Sequence, residues 1–317
     1  MDYRQLGKSG IRLSEISFGS WITFGANLDL NGIRQCMRAA FDQGVNYFDT
    51  AEAYGGGAAE LLLGEVLRDY VREDVVISTK IYWGGHGTNQ TGLSWKRMIE
   101  GTKNSLRRLQ LDYVDLLLCH RADPLTPIEE TVRAMDVLIK SGLVFYWGTS
   151  EWKRSQIEEA CQLAKEIGAT PPIIEQPEYN LFHRNRVEQE YKPLYTQYGI
   201  GLTTWSPLDS GILTGKYNEE IPAGSRLARH KELQDKLTLK KIEKVKALEE
   251  VSKELNCTLA QLAIAWCLKN PDVGSVIIGA TNIQQLQDNL KATSIKHRLV
   301  DEVMEKIENI LKEPLPS

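Results

Sequence analysis

The chain has 317 residues, of which 42% are hydrophobic and 25% charged, and its formal net charge is -4. Because positive and negative residues are mixed throughout, the sequence offers no basic face for nucleic acid and no polybasic patch for a membrane surface. No apolar run approaches the roughly 20 residues of a membrane span, so we expect no membrane insertion.

The length is compatible with one large α/β domain, so we expect residues 1–317 to form a single domain. Five cysteines, an odd number without a Cys-x-x-Cys pair, indicate reduced thiols. The first residues contain no apolar signal core. Together these features predict a cytoplasmic protein.

The first predicted element is a β-hairpin within residues 3–16, around the turn Gly7-Lys8-Ser9-Gly10, which we expect to act as a lid. After it, one unit repeats: a short apolar run, a polar residue, a loop and an amphipathic helix. The eight runs are residues 16–19, 47–49, 75–80, 114–120, 144–150, 173–176, 201–205 and 275–279. Eight strands alternating with helices favour a closed (β/α)8 TIM barrel. A doubly wound open sheet is the competing fold, but no Gly-x-Gly-x-x-Gly turn follows the first strand.

Several helix boundaries are marked in the sequence. Thr126-Pro127 predicts an N-cap and a first helical residue, and Thr258 with Gln261 predicts a second helix start. The helix after Ser94 has an apolar face that should leave four basic residues in solvent, namely Lys96, Arg97, Lys103 and Arg107.

Two stretches exceed the regular alternation. Residues 211–239 are long and charged, and we expect them to form a flexible loop over the site. Residues 300–311 predict an additional carboxyl-terminal helix. The charged run 240–253 has apolar residues at helical spacing and predicts a solvated helix after the seventh strand.

Polar residues follow the predicted strands where the strands end. A closed barrel would bring these residues to one mouth, and they are Asp49, Lys80, His120, Ser150, Gln176, Trp205 and Ser206. Each has a structural interpretation when taken alone: Asp49 as a turn cap, Lys80 as a surface ion-pair partner, and His120 as a core histidine bonded to backbone.

Taken together with Tyr54 in the loop after Asp49, these residues suit proton transfer. Protonating a carbonyl oxygen as hydride arrives requires an acid with a pKa well below that of free tyrosine, about 10. The Lys80 ammonium would stabilise the Tyr54 phenolate, Asp49 would keep Lys80 charged, and neutral His120 would hold the carbonyl. No spaced set of metal ligands is present, so we expect no metal. A Schiff-base role for Lys80 in a barrel aldolase is an alternative.

Several motifs resemble those of the aldo-keto reductase superfamily: Phe48-Asp49-Thr50-Ala51-Glu52-x-Tyr54, Ser78-Thr79-Lys80, Cys119-His120-Arg121 and Trp147-Gly148-Thr149-Ser150. Within it, the chain is similar to the voltage-gated potassium-channel β-subunit group through residues 80–85, 126–135, 205–208 and 261–268. Mammalian channel subunits tend to have asparagine where this chain has His120. The resemblance is therefore closer to plant and bacterial members.

This resemblance implies an NADPH-dependent reductase of small aldehydes and ketones, with Tyr54 as the acid, Lys80 and Asp49 tuning it, and His120 orienting the carbonyl. It implies a pocket for the substrate formed by Trp21, Tyr54, Trp83 and His120. NADH is the alternative cofactor. The implied cofactor-binding residues are Trp21, Ser150, Gln176, Trp205, Ser206, Pro207, Leu208, Gly211, Lys216, Arg226, Gly279, Thr281, Gln285, Asp288 and Asn289.

The resemblance also implies a homotetramer as a candidate assembly and a second function, a cofactor-sensing subunit of a potassium channel with slow reductase activity. Two departures from the family pattern affect the cofactor site. Glu151 stands where many reductases have asparagine, and Gly279-Ala280-Thr281 stands where many members have lysine and arginine. Preference for NADPH then depends on Lys216, Arg226 and Thr281, while Asn282 with Gln285 also fits a helix cap.

Overall fold

The computed structural model of the protein describes residues 1–25 and 27–312; the last five residues of the predicted domain, and residue 26, lie outside the described residues. Two antiparallel strands, β1 (Tyr3–Gln5) and β2 (Arg12–Ser14), form the predicted hairpin. Eight parallel strands follow and close into a barrel in which the last strand pairs with the first. The barrel strands are β3 (Ile16–Gly19), β4 (Tyr47–Asp49), β5 (Val76–Ile81), β6 (Val114–Cys119), β7 (Val144–Thr149), β8 (Ile174–Glu175), β9 (Gly201–Thr204) and β10 (Val273–Ile278). The predicted TIM barrel is confirmed.

Helices surround the barrel and connect its strands. They are α1 (Leu30–Asp42), α2 (Ala58–Leu67), α3 (Trp95–Leu109), α4 (Ile128–Lys140), α5 (Arg154–Ile167), α6 (Arg226–Arg229), α7 (Leu239–Glu254), α8 (Leu259–Lys269), α9 (Ile283–Leu290), α10 (Ala292–Ile295) and α11 (Asp301–Lys312). Between β8 and β9 the connection is made of π-helical turns, Arg186–Glu190 and Leu194–Tyr198. The predicted extra helices are present: α7 follows β9, and α11 packs on α7 near the carboxyl terminus.

The hairpin closes the amino-terminal end of the barrel. Leu6 and Leu13 are fully buried in a cluster with Tyr47, Leu116 and Leu118. Because strand residues alternate between faces, Leu116 and Leu118 point into the barrel while their neighbours face the helices. The hairpin therefore covers the end of the barrel opposite the polar strand termini.

Two predictions about helices were wrong. Arg97 on α3 is buried, because its guanidinium pairs with the Glu52 carboxylate. Helix α4 begins at Ile128 after Pro127, and the Thr126 hydroxyl donates to Asp123 instead of capping the helix. A helical pattern does not reveal a partner that lies far away in the sequence or a competing acceptor nearby.

The segment predicted as a loop over the site is folded into short helical turns. It contains the 3-10 turns Asp209–Thr214 and Lys231–Lys236 on either side of α6. Tyr217 and Leu227 are buried, and the Tyr217 hydroxyl accepts the Leu227 N–H at 3.3 Å. Buried anchors of this kind give the segment more local structure than its charged composition indicated.

Candidate active site

Asp49, Lys80 and Tyr54, which supply the carboxylate, the ammonium and the phenol, meet at the carboxyl-terminal ends of β4 and β5. Lys80 is fully buried, and its Nζ lies 2.6 Å from Asp49 Oδ2, 2.9 Å from the Thr50 carbonyl oxygen and 3.1 Å from the Tyr54 hydroxyl. An ammonium group has three donors, so every one of them has an acceptor. The geometry leaves Lys80 pointing at the phenol oxygen with no freedom to turn away.

A turn of glycines carries Tyr54 to this position. The chain after β4 continues through Tyr54–Gly57, in which Gly55 has φ 59° and Gly56 has φ 63°. L-residues with side chains seldom adopt these angles, whereas glycine does so readily. The turn lets the tyrosine reach back over the strand end before α2 begins.

Burial and charge set the protonation states of the three groups. Burial opposes the charge on Lys80, but the Asp49 carboxylate and Tyr54 raise its pKa above the usual value, so the ammonium persists. Burial raises the pKa of Tyr54, and the Lys80 charge acts in the opposite direction without reversing it. The predicted lowering of the tyrosine pKa is therefore not the net result. Tyr54 is held as a protonated phenol, the form that can donate.

His120 forms the next part of the site. Burial, followed by the Lys80 and Arg121 charges, holds the pKa of His120 well below its ordinary value, so the imidazole is neutral, as predicted. Its ring lies edge-on to Tyr54 with the ring centroids 5.7 Å apart, and 5.0 Å from the ring of Trp83. These rings form one wall of the mouth.

The opposite wall contains Trp21 and Trp205. The Trp21 ring lies 6.5 Å from that of Tyr54 and 6.0 Å from that of Trp205, nearly perpendicular to the latter. The four residues predicted for the substrate pocket, Trp21, Tyr54, Trp83 and His120, thus line a common cavity.

That cavity has a volume of about 670 Å³, within the range of small-molecule and cofactor sites. It runs from the Tyr54 and His120 wall to the loop after β10. Most of the predicted cofactor-binding residues line it: Trp21, Ser150, Gln176, Trp205, Ser206, Pro207, Leu208, Gly211, Lys216, Arg226, Gly279, Thr281 and Gln285.

Asp288 and Asn289 do not line this cavity. The Asp288 carboxylate, further along α9, accepts from Gln284 and Lys291 on the helix surface. Asn289 is buried, and its Nδ2 has no hydrogen-bond partner. Gln285 lies at the start of the helix, where its Oε1 accepts the Thr281 N–H while Asn282 caps the helix. Only this first turn of α9 reaches the cavity.

The backbone after β9 is strained where it borders the cavity. Ser206, Asp209 and Ser210 have positive φ angles of 60°, 43° and 59°, and Gly211 follows at 93°. Such strain is often found where a chain wraps a ligand. Ser206 lines the cavity, and its buried Oγ has no hydrogen-bond partner among the described residues. These residues fit the phosphate region of a dinucleotide.

Glu151, the departure from the family pattern, has a structural role. Its Oε1 accepts from Trp205 Nε1 at 3.1 Å and from the Glu178 N–H at 2.6 Å, and its Oε2 pairs with Arg186. The carboxylate therefore lies beneath the cavity wall and fixes the Trp205 indole.

Gln176 and Ser150 are connected to the cluster of Asp49, Lys80 and Tyr54. Gln176 Nε2 donates to Asp49 Oδ1 at 3.0 Å, and the Ser150 hydroxyl donates to the Gln176 carbonyl at 2.9 Å. Both side chains line the cavity, beside the strand ends that carry Lys80 and His120.

Sequence reasoning missed two arginines and a histidine of the cavity, Arg121, Arg229 and His230. Arg121 directly follows His120, which was itself singled out. Arg229 is three residues after Arg226 on the same short helix, so helical spacing alone could have suggested it. His230 carries no comparable sequence signal.

The residues do not suit two other chemistries. Within residues 1–25 and 27–312, no three His, Cys, Asp or Glu side chains are grouped to bind a metal ion. Lys80 is a charged, fully buried ammonium with three acceptors, whereas a Schiff-base lysine must present a neutral, accessible amine. The aldolase alternative is therefore disfavoured.

A model of the aldo/keto reductase family matches residues 15–312. The chain belongs to this family. Two plant relatives of this aldo/keto reductase bear the name probable voltage-gated potassium channel subunit beta. The protein from Arabidopsis thaliana is 52% identical and that from Oryza sativa subsp. japonica is 51% identical, each over 318 residues, or 98% of this chain and 97% of the relative.

The predicted resemblance to the channel β-subunit group, and to its plant members, is thus confirmed. Aldo/keto reductases typically use NAD(P)H, and the cavity residues fit such a group. No helix among the described residues is both long and apolar enough to cross a membrane.

Proposed function

We propose that this aldo/keto reductase reduces small aldehydes and ketones with NADPH, and that Tyr54 is the general acid. The observation that carries the proposal is the contact of the Tyr54 hydroxyl with a buried, charged Lys80 at 3.1 Å, on the wall of a cavity large enough for cofactor and substrate. A phenol beside an ammonium is suited to give up a proton and to remain stable as phenolate afterwards.

Each residue of the cluster has a separate part in the reaction. The reduced nicotinamide, when bound, supplies the hydride to the carbonyl carbon. Tyr54 donates its proton to the carbonyl oxygen, and Lys80 stabilises the phenolate that remains. Asp49 keeps Lys80 charged in a buried position, and neutral His120 orients the carbonyl through an N–H hydrogen bond.

The cavity residues beyond the cluster would hold the cofactor. The indole of Trp205 offers a face for the nicotinamide ring, and Ser206 offers a free hydroxyl to the phosphates. Lys216 and Arg226 provide positive charge for a 2'-phosphate, which is why we propose NADPH as the preferred cofactor and NADH as the weaker one.

A spectrophotometric screen tests this function. Aldehydes, ketones and diketones are supplied with NADPH and NADH in parallel, and oxidation of the cofactor is followed by absorbance. We expect carbonyl-dependent oxidation with kcat/KM at least about tenfold higher for NADPH, because Lys216 and Arg226 line the cavity. Oxidation of neither cofactor with any carbonyl compound, although NADPH binds, would refute the reductase proposal.

A second candidate function is regulation of a potassium channel by the cofactor state of this protein. The names of the two plant relatives favour it. A pull-down from detergent-solubilised membranes of the source cells, followed by mass spectrometry, tests it: recovery of a channel subunit supports the role, and its absence refutes it. Light scattering on the purified protein tests the homotetramer.

We further propose that the chain is one cytoplasmic domain. All five cysteines are free, and four of them are buried. Imaging of a fluorescent fusion in the source cells tests the compartment, and a single cooperative unfolding transition by calorimetry tests the domain count.

A further inference from the structure

Arg121 brings a positive charge to the substrate end of the cavity. It directly follows His120, lines the cavity and is half-buried. Its guanidinium lies over the Trp83 ring, 5.5 Å from the ring centroid, and its Nη1 donates to the His120 carbonyl oxygen and, at 3.5 Å, to the Ser150 hydroxyl oxygen. These contacts position the side chain but leave most of its five N–H donors free.

No carboxylate of the described residues lies within ion-pair distance of Arg121. The nearest acid in the sequence, Asp123, is occupied: its carboxylate accepts from the Leu93 and Leu125 N–H groups and from the Thr126 hydroxyl. Among the described residues, the other shielded arginines have acidic partners, as in the pair of Arg97 with Glu52, except Arg226, which lines the same cavity. A half-buried arginine with an uncompensated charge is therefore unusual in this molecule.

The position of this charge relative to the reacting groups is defined by a row of rings. The Trp83 ring contacts both the Arg121 guanidinium and the His120 ring, and the His120 ring lies next to that of Tyr54. The Arg121 charge reaches both groups, since it contributes to lowering the pKa of His120 and opposes the rise in the pKa of Tyr54. A small molecule with its carbonyl at Tyr54 can extend along Trp83 towards the guanidinium.

We propose that Arg121 is a substrate-binding residue that selects carbonyl compounds bearing a carboxylate a few bonds from the reacting carbonyl. This inference rests on the proposed reductase function. Guanidinium binds carboxylate with two parallel hydrogen bonds, and such charge-assisted bonds are strong where water is partly excluded. The substrate class is thus the aldehyde or keto acids, in preference to neutral carbonyl compounds of the same size.

The cavity contains other cations, and they come from a different segment of the chain. Lys216, Arg226 and Arg229 come from the segment after β9, and Arg226 stacks on Trp21, 4.7 Å from its ring centroid. They border the part of the cavity assigned to the cofactor. Arg121 comes from the end of β6, beside the substrate wall.

Two matched substrates test the proposal: 4-carboxybenzaldehyde and its methyl ester. The two compounds have a similar size and the same aldehyde group, but the ester lacks the negative charge of the carboxylate. With NADPH saturating, we expect kcat/KM of the wild type to be at least about tenfold higher for the acid, and this preference to fall at high ionic strength. Arg121→Gln should reduce the acid-to-ester ratio of kcat/KM to about one, and this change should appear in KM. Arg121→Lys should restore part of the ratio.

Arg133→Gln is the matched control, since Arg133 is an exposed arginine of α4 paired with Glu129. It removes the same net charge far from the cavity and should leave the ratio unchanged. A wild-type ratio near one, or an equal loss for both substrates in Arg121→Gln, overturns the proposal. So does a change in NADPH affinity as the main effect, which would assign Arg121 to the cofactor.

A binding measurement separates this proposal from the reductase function. If no carbonyl compound of the screen is reduced, the reductase proposal fails, and calorimetric titration of the NADP⁺-bound protein with 4-carboxybenzaldehyde or its ester still tests Arg121. Tighter binding of the acid by the wild type, lost in Arg121→Gln, supports the inference. Equal binding of the acid and the ester by the wild type overturns the inference. This wild-type comparison remains valid even if the Arg121→Gln variant fails to fold.

Discussion

The two ends of the barrel can be compared directly, because the same strands build both. At the amino-terminal end, Leu6 and Leu13 of the hairpin fill the opening with apolar side chains. At the carboxyl-terminal end, the strands finish at Asp49 and Lys80, and a cavity of about 670 Å³ remains. The closed end uses burial to stabilise the fold, while the open end retains charges in a buried position.

Charges in such a position are not an efficient source of stability. Removing an ion pair from water carries a penalty that its attraction often does not exceed. Asp49 and Lys80 are nevertheless almost entirely buried, and Gln176 and Ser78 also donate to the aspartate. The comparison fits the proposed function, in which the open end serves the reaction and the closed end serves stability. Substitutions at the two ends should therefore have different consequences.

The largest expected effect is on turnover, from Lys80→Met. Loss of the ammonium removes the group that stabilises the Tyr54 phenolate, so kcat should fall by about 10²–10⁴. Asp49 would also be left as an unpaired buried charge, lowering the free energy of unfolding by about 3–5 kcal/mol. Steady-state kinetics and urea unfolding measure both, with the exposed Lys103→Met as control. Full turnover in a folded Lys80→Met protein would contradict the assignment of the reaction to the open end of the barrel.

At the closed end, Leu13→Ala should affect stability alone. Leu13 is fully buried, so its truncation should lower the free energy of unfolding by about 2–5 kcal/mol while kcat of the folded protein stays unchanged. Denaturant unfolding and kinetics on the same preparation check this. Leu239→Ala, at a side chain 79% exposed, is the control and should change neither. A loss of kcat in Leu13→Ala would show that the two ends are coupled.

The open end should also carry pH dependence. Burial raises the pKa of Glu175, the last residue of β8, to about 8. In the unfolded chain the pKa is near 4.5, so the stabilising protonated form is fully present below about pH 4.5 and is lost as pH rises through about 8. The free energy of unfolding should fall by a few kcal/mol across this window, and Glu175→Gln should remove that fall.

Urea unfolding at several pH values between about 5 and 8.5 tests the Glu175 prediction. Glu178→Gln, three residues later, is the control and should keep the wild-type slope, because it removes an acid that is already paired with Lys236. Parallel pH profiles for the wild type and Glu175→Gln would contradict the assignment.

The smallest expected effects concern the turn of the hairpin. Gly7 has φ 54°, and a methyl group on it would meet the Gly199 carbonyl oxygen at 2.1 Å, so Gly7→Ala should lower stability by about 1–3 kcal/mol. Gly10 has open space around it and an ordinary φ, so Gly10→Ala should stay within about 0.5 kcal/mol. Thermal unfolding of the pair checks this. Equal stability of the two variants would mean that the hairpin does not pack tightly on the barrel.

Much of the barrel could be predicted from the sequence because the pattern is local. Each strand is a short apolar run ending in a polar residue, and parallel strands place those ends together. The positions of Asp49, Lys80 and His120 followed from this rule, and Tyr54 lies in the loop after Asp49. The contacts among these side chains depend on closure of the barrel, which is a property of the whole chain.

Other features depend on partners that a local pattern does not contain. Arg97 was predicted to be exposed because its helical position is polar, but Glu52 lies 45 residues away and pairs with it. Asp288 was predicted to face the cofactor, but only the first turn of α9 reaches the cavity. The direction in which the Tyr54 pKa shifts depends on how deeply the tyrosine is buried, and burial is set by the tertiary structure.

The most direct test of the central claim is Tyr54→Phe, which removes one hydroxyl and leaves the ring. We expect turnover with NADPH and an aldehyde to fall by at least about 10²–10³, because the proton donor is lost. NADPH affinity, measured by fluorescence titration, should remain within about threefold of the wild-type value. Retention of most of the turnover with unchanged cofactor binding would contradict the role of Tyr54 as the acid.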